Sequence, residues 1–299
     1  MPAHKRLFII SFALAILMPG SMALRMPDKP AYLLFEQGKN KPVSYSRMLK
    51  QLLECDVVFF GELHNNPICH WLQLQLAKDL YEVHGKNLMF GAEMLEADNQ
   101  LILDEYLDKV IREDQFLKEA RLWNNYKTDY APLVNFARER DLRFIATNVP
   151  RRYAGMVSRG GLAALDALSE AALGYCAPLP LEVDYDLPGY REMKEMMQGH
   201  GSMPGSPDYF VAAQALKDAT MAHFIAVNLN SEGRLLHFNG SYHSNRGEGI
   251  LHYLRKLKPG IRICAIATVE QSVLDSLDSE HRDLADFILV IPVDMTKTY

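Results

Sequence analysis

The chain has 299 residues, 48% of them hydrophobic and 23% charged, with a formal net charge of −5. That composition supports a sizeable folded core and excludes a disordered chain. No run of Lys and Arg is longer than a pair, so nucleic acid is not an expected partner.

The amino terminus reads as a targeting segment. MPAHKR is a short basic region, and LFIISFALAILM is an apolar run of twelve, too short to span a bilayer. Ser21-Met22-Ala23 then places small residues at the −3 and −1 positions of a cleavage site. The pattern predicts a secretory signal peptide over residues 1–23, cleaved after about Ala23; an uncleaved membrane anchor is the alternative. No Cys lies near the cleavage site, so no lipobox is present. The expectation is an exported chain, periplasmic or secreted, that is not an integral membrane protein. Its mature part, 24–299, is expected to be a single domain. Export permits disulfides among Cys55, Cys69, Cys176 and Cys264, although buried free thiols fit their settings as well.

In chain order, short apolar runs have the length of buried parallel strands: DVVFF (56–60), NLMFGA (87–92), LRFIAT (142–147), RLLHFN (234–239), IRICAIAT (261–268) and FILVIPV (287–293). Amphipathic stretches separate them. Asn66 can cap a helix that has Pro67 in its first turn and runs to about Val83. Residues 97–113 and 129–140 also read as helices. Alternation of this kind predicts an α/β fold with a mostly parallel central sheet flanked by helices. Between the third and fourth core strands, about 148–233, no strand is evident. Helical patterns occupy about 151–172, 186–198 and 208–229, which predicts a helical insertion, or lid, with a Gly- and Pro-rich loop at 198–208.

Polar residues follow four of the strands. Glu62 and His64 follow the first, Glu93 the second, Asn148 and Arg151 the third, and Asn239 and His243 the fourth. Ligands of open parallel sheets bind at the carboxyl ends of the strands. Glu62 and His64 share one face if the backbone stays extended, because strand side chains repeat every two residues. Two carboxylates and two imidazoles suit a divalent metal, or acid–base catalysis of hydrolysis with one His as base. The spacing is not that of a helical zinc protease. Carboxylates at strand ends also cap helices, so Glu62 and Glu93 carry a structural reading as well. His70 reads as a helix-surface or supporting residue. Arg151 and Arg152 fit a carboxylate clamp or a solvated helix start.

GELH (61–64), AEML (92–95), TNVPRR (147–152), AQALKDATMA (213–222) and NGSYH (239–243), in this order, resemble the ChaN-like family. The resemblance spans about residues 32–270. It implies an exported haem-binding protein of haem or iron acquisition, acting as a homodimer beside an outer-membrane haem uptake system. A Tyr would ligate the iron with help from a His, and Tyr209 and His200 in the insertion, with Arg151, are the residues taken for the cofactor. The wider superfamily includes erythromycin esterases and Tiki-type metalloproteases. It implies that Glu62, His64, Glu93 and His243 form a metal-binding or catalytic pocket, so a hydrolase is the alternative function.

Overall fold

The computed structural model describes residues 28–198 and 206–299. Seven strands form one sheet: β1 (Leu33–Glu36), β2 (Val57–Glu62), β3 (Leu88–Glu96), β4 (Phe144–Asn148), β5 (Arg234–Gly240), β6 (Ile263–Gln271) and β7 (Phe287–Pro292). Their order is β1-β7-β6-β2-β5-β3-β4. Every neighbouring pair is parallel except β1 with β7. The mostly parallel sheet and all six expected strands are therefore present. The addition is β1, a four-residue antiparallel edge strand.

The helices are α1 (Tyr45–Leu52), α2 (Pro67–His84), α3 (Gln100–Leu107), α4 (Glu113–Glu119), α5 (Ala131–Glu139), α6 (Arg151–Gly160), α7 (Glu170–Leu173), α8 (Pro188–Gln198), α9 (Pro207–Asn228) and α10 (Ile250–Leu257). Asn66 caps α2, its side chain accepting from the amides of Ile68 and Cys69 at 3.0 and 3.3 Å. The long helix expected over 97–113 is instead broken. α3 ends at Leu107, and Lys109 takes a positive φ of 65° before α4 begins. A π-helical turn, Tyr126–Tyr130, leads into α5.

The core strands are buried on both faces, which is why they read as continuous apolar runs. Val58, Phe60, Leu236, Phe238 and Leu289 face one layer, built from α1 to α5. Val57, Phe59, Leu235, Ile288 and Val290 face the other, where α8, α9 and α10 pack. α9 belongs to the expected insertion, yet it is no mere cover. Val211, Ala215, Ala219, Ala222 and Ile225 lie in the core against the sheet. Its small residues allow this close approach, and Ala212, Ala213 and Leu216 pack against α6. A disulfide joins Cys55, just before β2, to Cys264 in β6, whereas Cys69 and Cys176 are buried free thiols.

The β4 edge is covered in a specific way. Gln100, the first residue of α3, donates from Nε2 to the Phe144 carbonyl at 3.0 Å and accepts from the Ala146 amide through Oε1 at 2.6 Å. One side chain thus satisfies backbone groups that an edge strand otherwise leaves open to a passing strand. Gln100→Ala is expected to cost about 1–3 kcal/mol in chemical denaturation, the penalty for buried backbone groups left unpaired. It should also increase concentration-dependent self-association, measured by light scattering.

Candidate functional site

β2, β5, β3 and β4 are adjacent in the sheet, so the four polar strand ends found in the sequence meet along one edge. In register, Glu62 lies beside Gly240, and β3 loses its regular pairing between Ala92 and Glu96. That irregularity is where Glu93 sits.

Glu62 is 2% exposed. Its Oε1 accepts from His64 Nδ1 at 2.8 Å and from the Tyr130 hydroxyl at 2.7 Å, and its Oε2 accepts from Gln73 Nε2 at 2.5 Å. Three donors satisfy this buried carboxylate. His64 is partly exposed, with its ring edge-on to Trp123 at 4.9 Å between centroids. Burial opposes its charge, but Glu62 and Glu93 outweigh burial and raise its pKa.

A second network is buried. His243 Nδ1 donates to Asp218 Oδ1 at 2.5 Å, and its Nε2 lies 3.2 Å from Glu93 Oε1. The Gln214 amide lies 3.0 Å from Nδ1, and the Tyr190 hydroxyl donates to the other Asp218 oxygen at 2.7 Å. Glu93 also accepts from the Gly240 amide at 2.7 Å. Burial again opposes the charge on His243, yet Glu93 and Asp218 raise its pKa to about 10. Burial pushes Glu93 upward, and His243 and His64 overcome this, holding it well below the usual carboxylate range. His237 makes the contrast: burial lowers its pKa to about 4, and it packs between Thr147 and Asn239 without a carboxylate. The two networks touch at Gly240, where an added Cβ would fall 2.9 Å from His64 Nε2 and 3.5 Å from Glu93 Oε2.

These residues do not fit a single divalent ion. Metal binding needs donor atoms that converge. Among the described residues, the set that converges is Asp278, Glu280 and His281, where both acids are exposed. Glu62 and Glu93 are instead each committed to an imidazole.

A cleft of about 650 Å³ opens beside Glu93. Leu122, Trp123 and Val149 form its apolar wall, and Asn148, Arg151, Lys217 and Tyr299 are among its polar residues.

Residues 48–254 match the family described as haem-binding uptake, Tiki superfamily, ChaN. The chain belongs to this family. Among solved structures, the fold is similar to that of ChaN of Campylobacter jejuni, described with cofacial haem binding. The TM-score is 0.66 at 20% identity, over 87% of this chain and 96% of that one. An erythromycin esterase, EreC, aligns at a TM-score of 0.49 and 12% identity, over 83% of this chain and 93% of that one. No curated protein matches the sequence.

The matched span holds every expected site residue, but the structure does not unite them all. Glu62, His64, Glu93 and His243 come together at the strand ends. Arg151 reaches the cleft and pairs through Nε with Glu96 at 2.6 Å. Arg152 instead pairs with Asp98. Tyr209 is exposed at the start of α9, over Gly161, and is not a cleft residue. His200 lies outside the described residues. Asp218, Gln73, Tyr130, Trp123, Lys217 and Tyr299 complete the region without having been singled out as site residues. Of these, Asp218 has a signal that spacing can supply, since it stands i,i+4 from Gln214 on an Ala-rich helix. His70 proves buried, its Nε2 3.0 Å from the His64 carbonyl and 3.5 Å from Asp129.

The raised His243 pKa gives a stability dependence of known sign. Its contribution is complete below its ordinary value of 6.5, declines as pH rises and is lost through about 10. The lowered Glu93 pKa contributes above 4.5 and is lost in acid, so the two reinforce each other between pH 4.5 and 6.5. The urea midpoint is expected to fall as pH rises from 6.5 toward 10. His243→Gln, which strands two carboxylates at a cost of about 3–5 kcal/mol, should lack that slope. An equal slope in both proteins would contradict the assignment.

Proposed function

We propose that this chain binds haem in the cleft beside Glu93 and serves haem or iron acquisition in the bacterial envelope. The observation that carries the reading is membership of the haem-binding uptake family, with a match that covers most of the cleft. The cleft's volume suits a cofactor, since such sites span about 300–1,000 Å³. Leu122, Trp123 and Val149 offer an apolar wall to a flat ring, and Arg151 and Lys217 offer positive charge. Bound haem would supply the coordinated iron that such a protein carries. Tyr299 is the tyrosine that lines the cleft, which makes it a better-placed candidate for the iron than Tyr209.

The proposal extends to export through the signal peptide over residues 1–23, to a homodimer, and to an outer-membrane haem uptake system as partner. The Cys55–Cys264 disulfide supports export, because such bonds persist in oxidising compartments. No described helix is long and apolar enough to cross a membrane.

Titration of the protein with hemin should give a saturable, shifted Soret band with a defined stoichiometry. Sedimentation with and without hemin reads the oligomeric state. A spectrum that stays that of free hemin would remove the haem reading. For export, cell fractionation should place the mature chain outside the cytoplasm. Cys55 and Cys264 should then resist alkylation in the denatured protein until reductant is added. Recovery in the cytoplasm with four reactive thiols would overturn the localisation.

A further inference from the structure

Four charged side chains line the cleft: Glu93, Glu96, Arg151 and Lys217. Glu93 is matched by His243 at 3.2 Å. Glu96, 3% exposed, is matched twice, by Arg151 Nε at 2.6 Å and by Arg121 Nε at 3.2 Å. Both acids are therefore neutralised from within the protein.

The cations are matched less fully, Arg151 through Nε alone and Lys217 not at all among the described residues. Lys217 has no carboxylate partner among the described residues, although it is only partly exposed. Arg151 uses Nε alone; its two terminal nitrogens have no partner among the described residues, and 63% of its side chain is exposed. A half-buried ammonium without a counter-charge costs free energy that an anionic ligand would offset. Two further features hold the pair in place. Lys217 directly precedes Asp218, which is fixed to His243, so the ion network sets the position of Lys217. Arg151 is the first residue of α6, whose amino end adds partial positive charge.

From this excess we infer that Arg151 and Lys217 form a two-point clamp for a ligand bearing two ionised carboxylates. The inference rests on the haem reading and deepens it. The clamp grips the two propionates, and the cleft discriminates by the acid groups at the ring edge as well as by the flat apolar face. Arg151 supplies a forked donor matched to a carboxylate, and Lys217 a point charge.

The test compares hemin with hemin dimethyl ester, in which both carboxylates are masked, by absorbance titration. The variants are Lys217→Met, which keeps the apolar stem, and Arg151→Gln, which leaves Glu96 its Arg121 partner. Thermal unfolding of each variant checks the fold, and Arg151→Lys and Lys217→Arg restore charge. The wild-type protein is expected to bind hemin at least about 10-fold more tightly than the ester, the scale of one charge-assisted hydrogen bond. Each neutral variant should lose about 10-fold for hemin with its ester affinity unchanged, and the charge-restoring variants should recover part of the loss. Added salt should weaken hemin but not ester binding. Equal wild-type affinity for both ligands, or variants that weaken both alike, would overturn the clamp and leave the haem reading standing. Absence of saturable hemin binding to the wild-type protein would remove that reading, and the clamp with it.

Discussion

The placement of one buried imidazole organises this molecule. His243 follows β5, and it stands between Glu93 of β3 and Asp218 of α9. Two carboxylates and one imidazolium in a dry interior are costly to desolvate, and they are tolerated because each of the four carboxylate oxygens finds a donor. The result is a fixed distance between the sheet and the helix that covers it. α6 and α8 pack on α9 in turn, so the insertion inherits its position from this contact.

The neighbouring Glu62 network is built differently. Its carboxylate is satisfied by His64, Tyr130 and Gln73, three donors from three separate segments, and its imidazole stays partly open to solvent. Gly240 is what lets the two networks lie side by side, since any side chain there would displace His64. The Glu93–His243 network is buried, and the Glu62 network has an accessible edge at His64. The cleft begins where they adjoin, at Glu93 and Trp123.

Much of this was legible in the sequence, for stated reasons. Parallel strands buried on both faces leave unbroken apolar runs, so β2 to β7 stood out, as did the polar residues that follow four of them. β1 did not: it has four residues, sits at an edge and is specified by pairing with β7 rather than by its own pattern. The break after α3 depends on a positive φ at Lys109, a residue type that gives no warning of it. Asp218 stands i,i+4 from Gln214, but the His243 it binds lies 25 residues away and only the fold brings them together. Trp123 and Tyr130 had no local signal at all, because they reach the site through a loop and a π-helical turn. The donor atoms of the expected metal set do not converge among the described residues, for a related reason. Residue type and strand-end position were read correctly, yet pairing between imidazole and carboxylate depends on side-chain direction, which no spacing rule supplies.

The disulfide lies away from all this chemistry. It ties the segment just before β2 to β6, across a separation of 209 residues, near the strand ends opposite the cleft. The covalent loop it closes contains every residue of both ion networks, and of the cleft all but Thr298 and Tyr299. A single backbone cut anywhere within that loop would therefore not release a fragment. The two pieces would stay one molecule, held in register by a hydrogen-bonded sheet and a single sulfur–sulfur bond, until a reductant reached them.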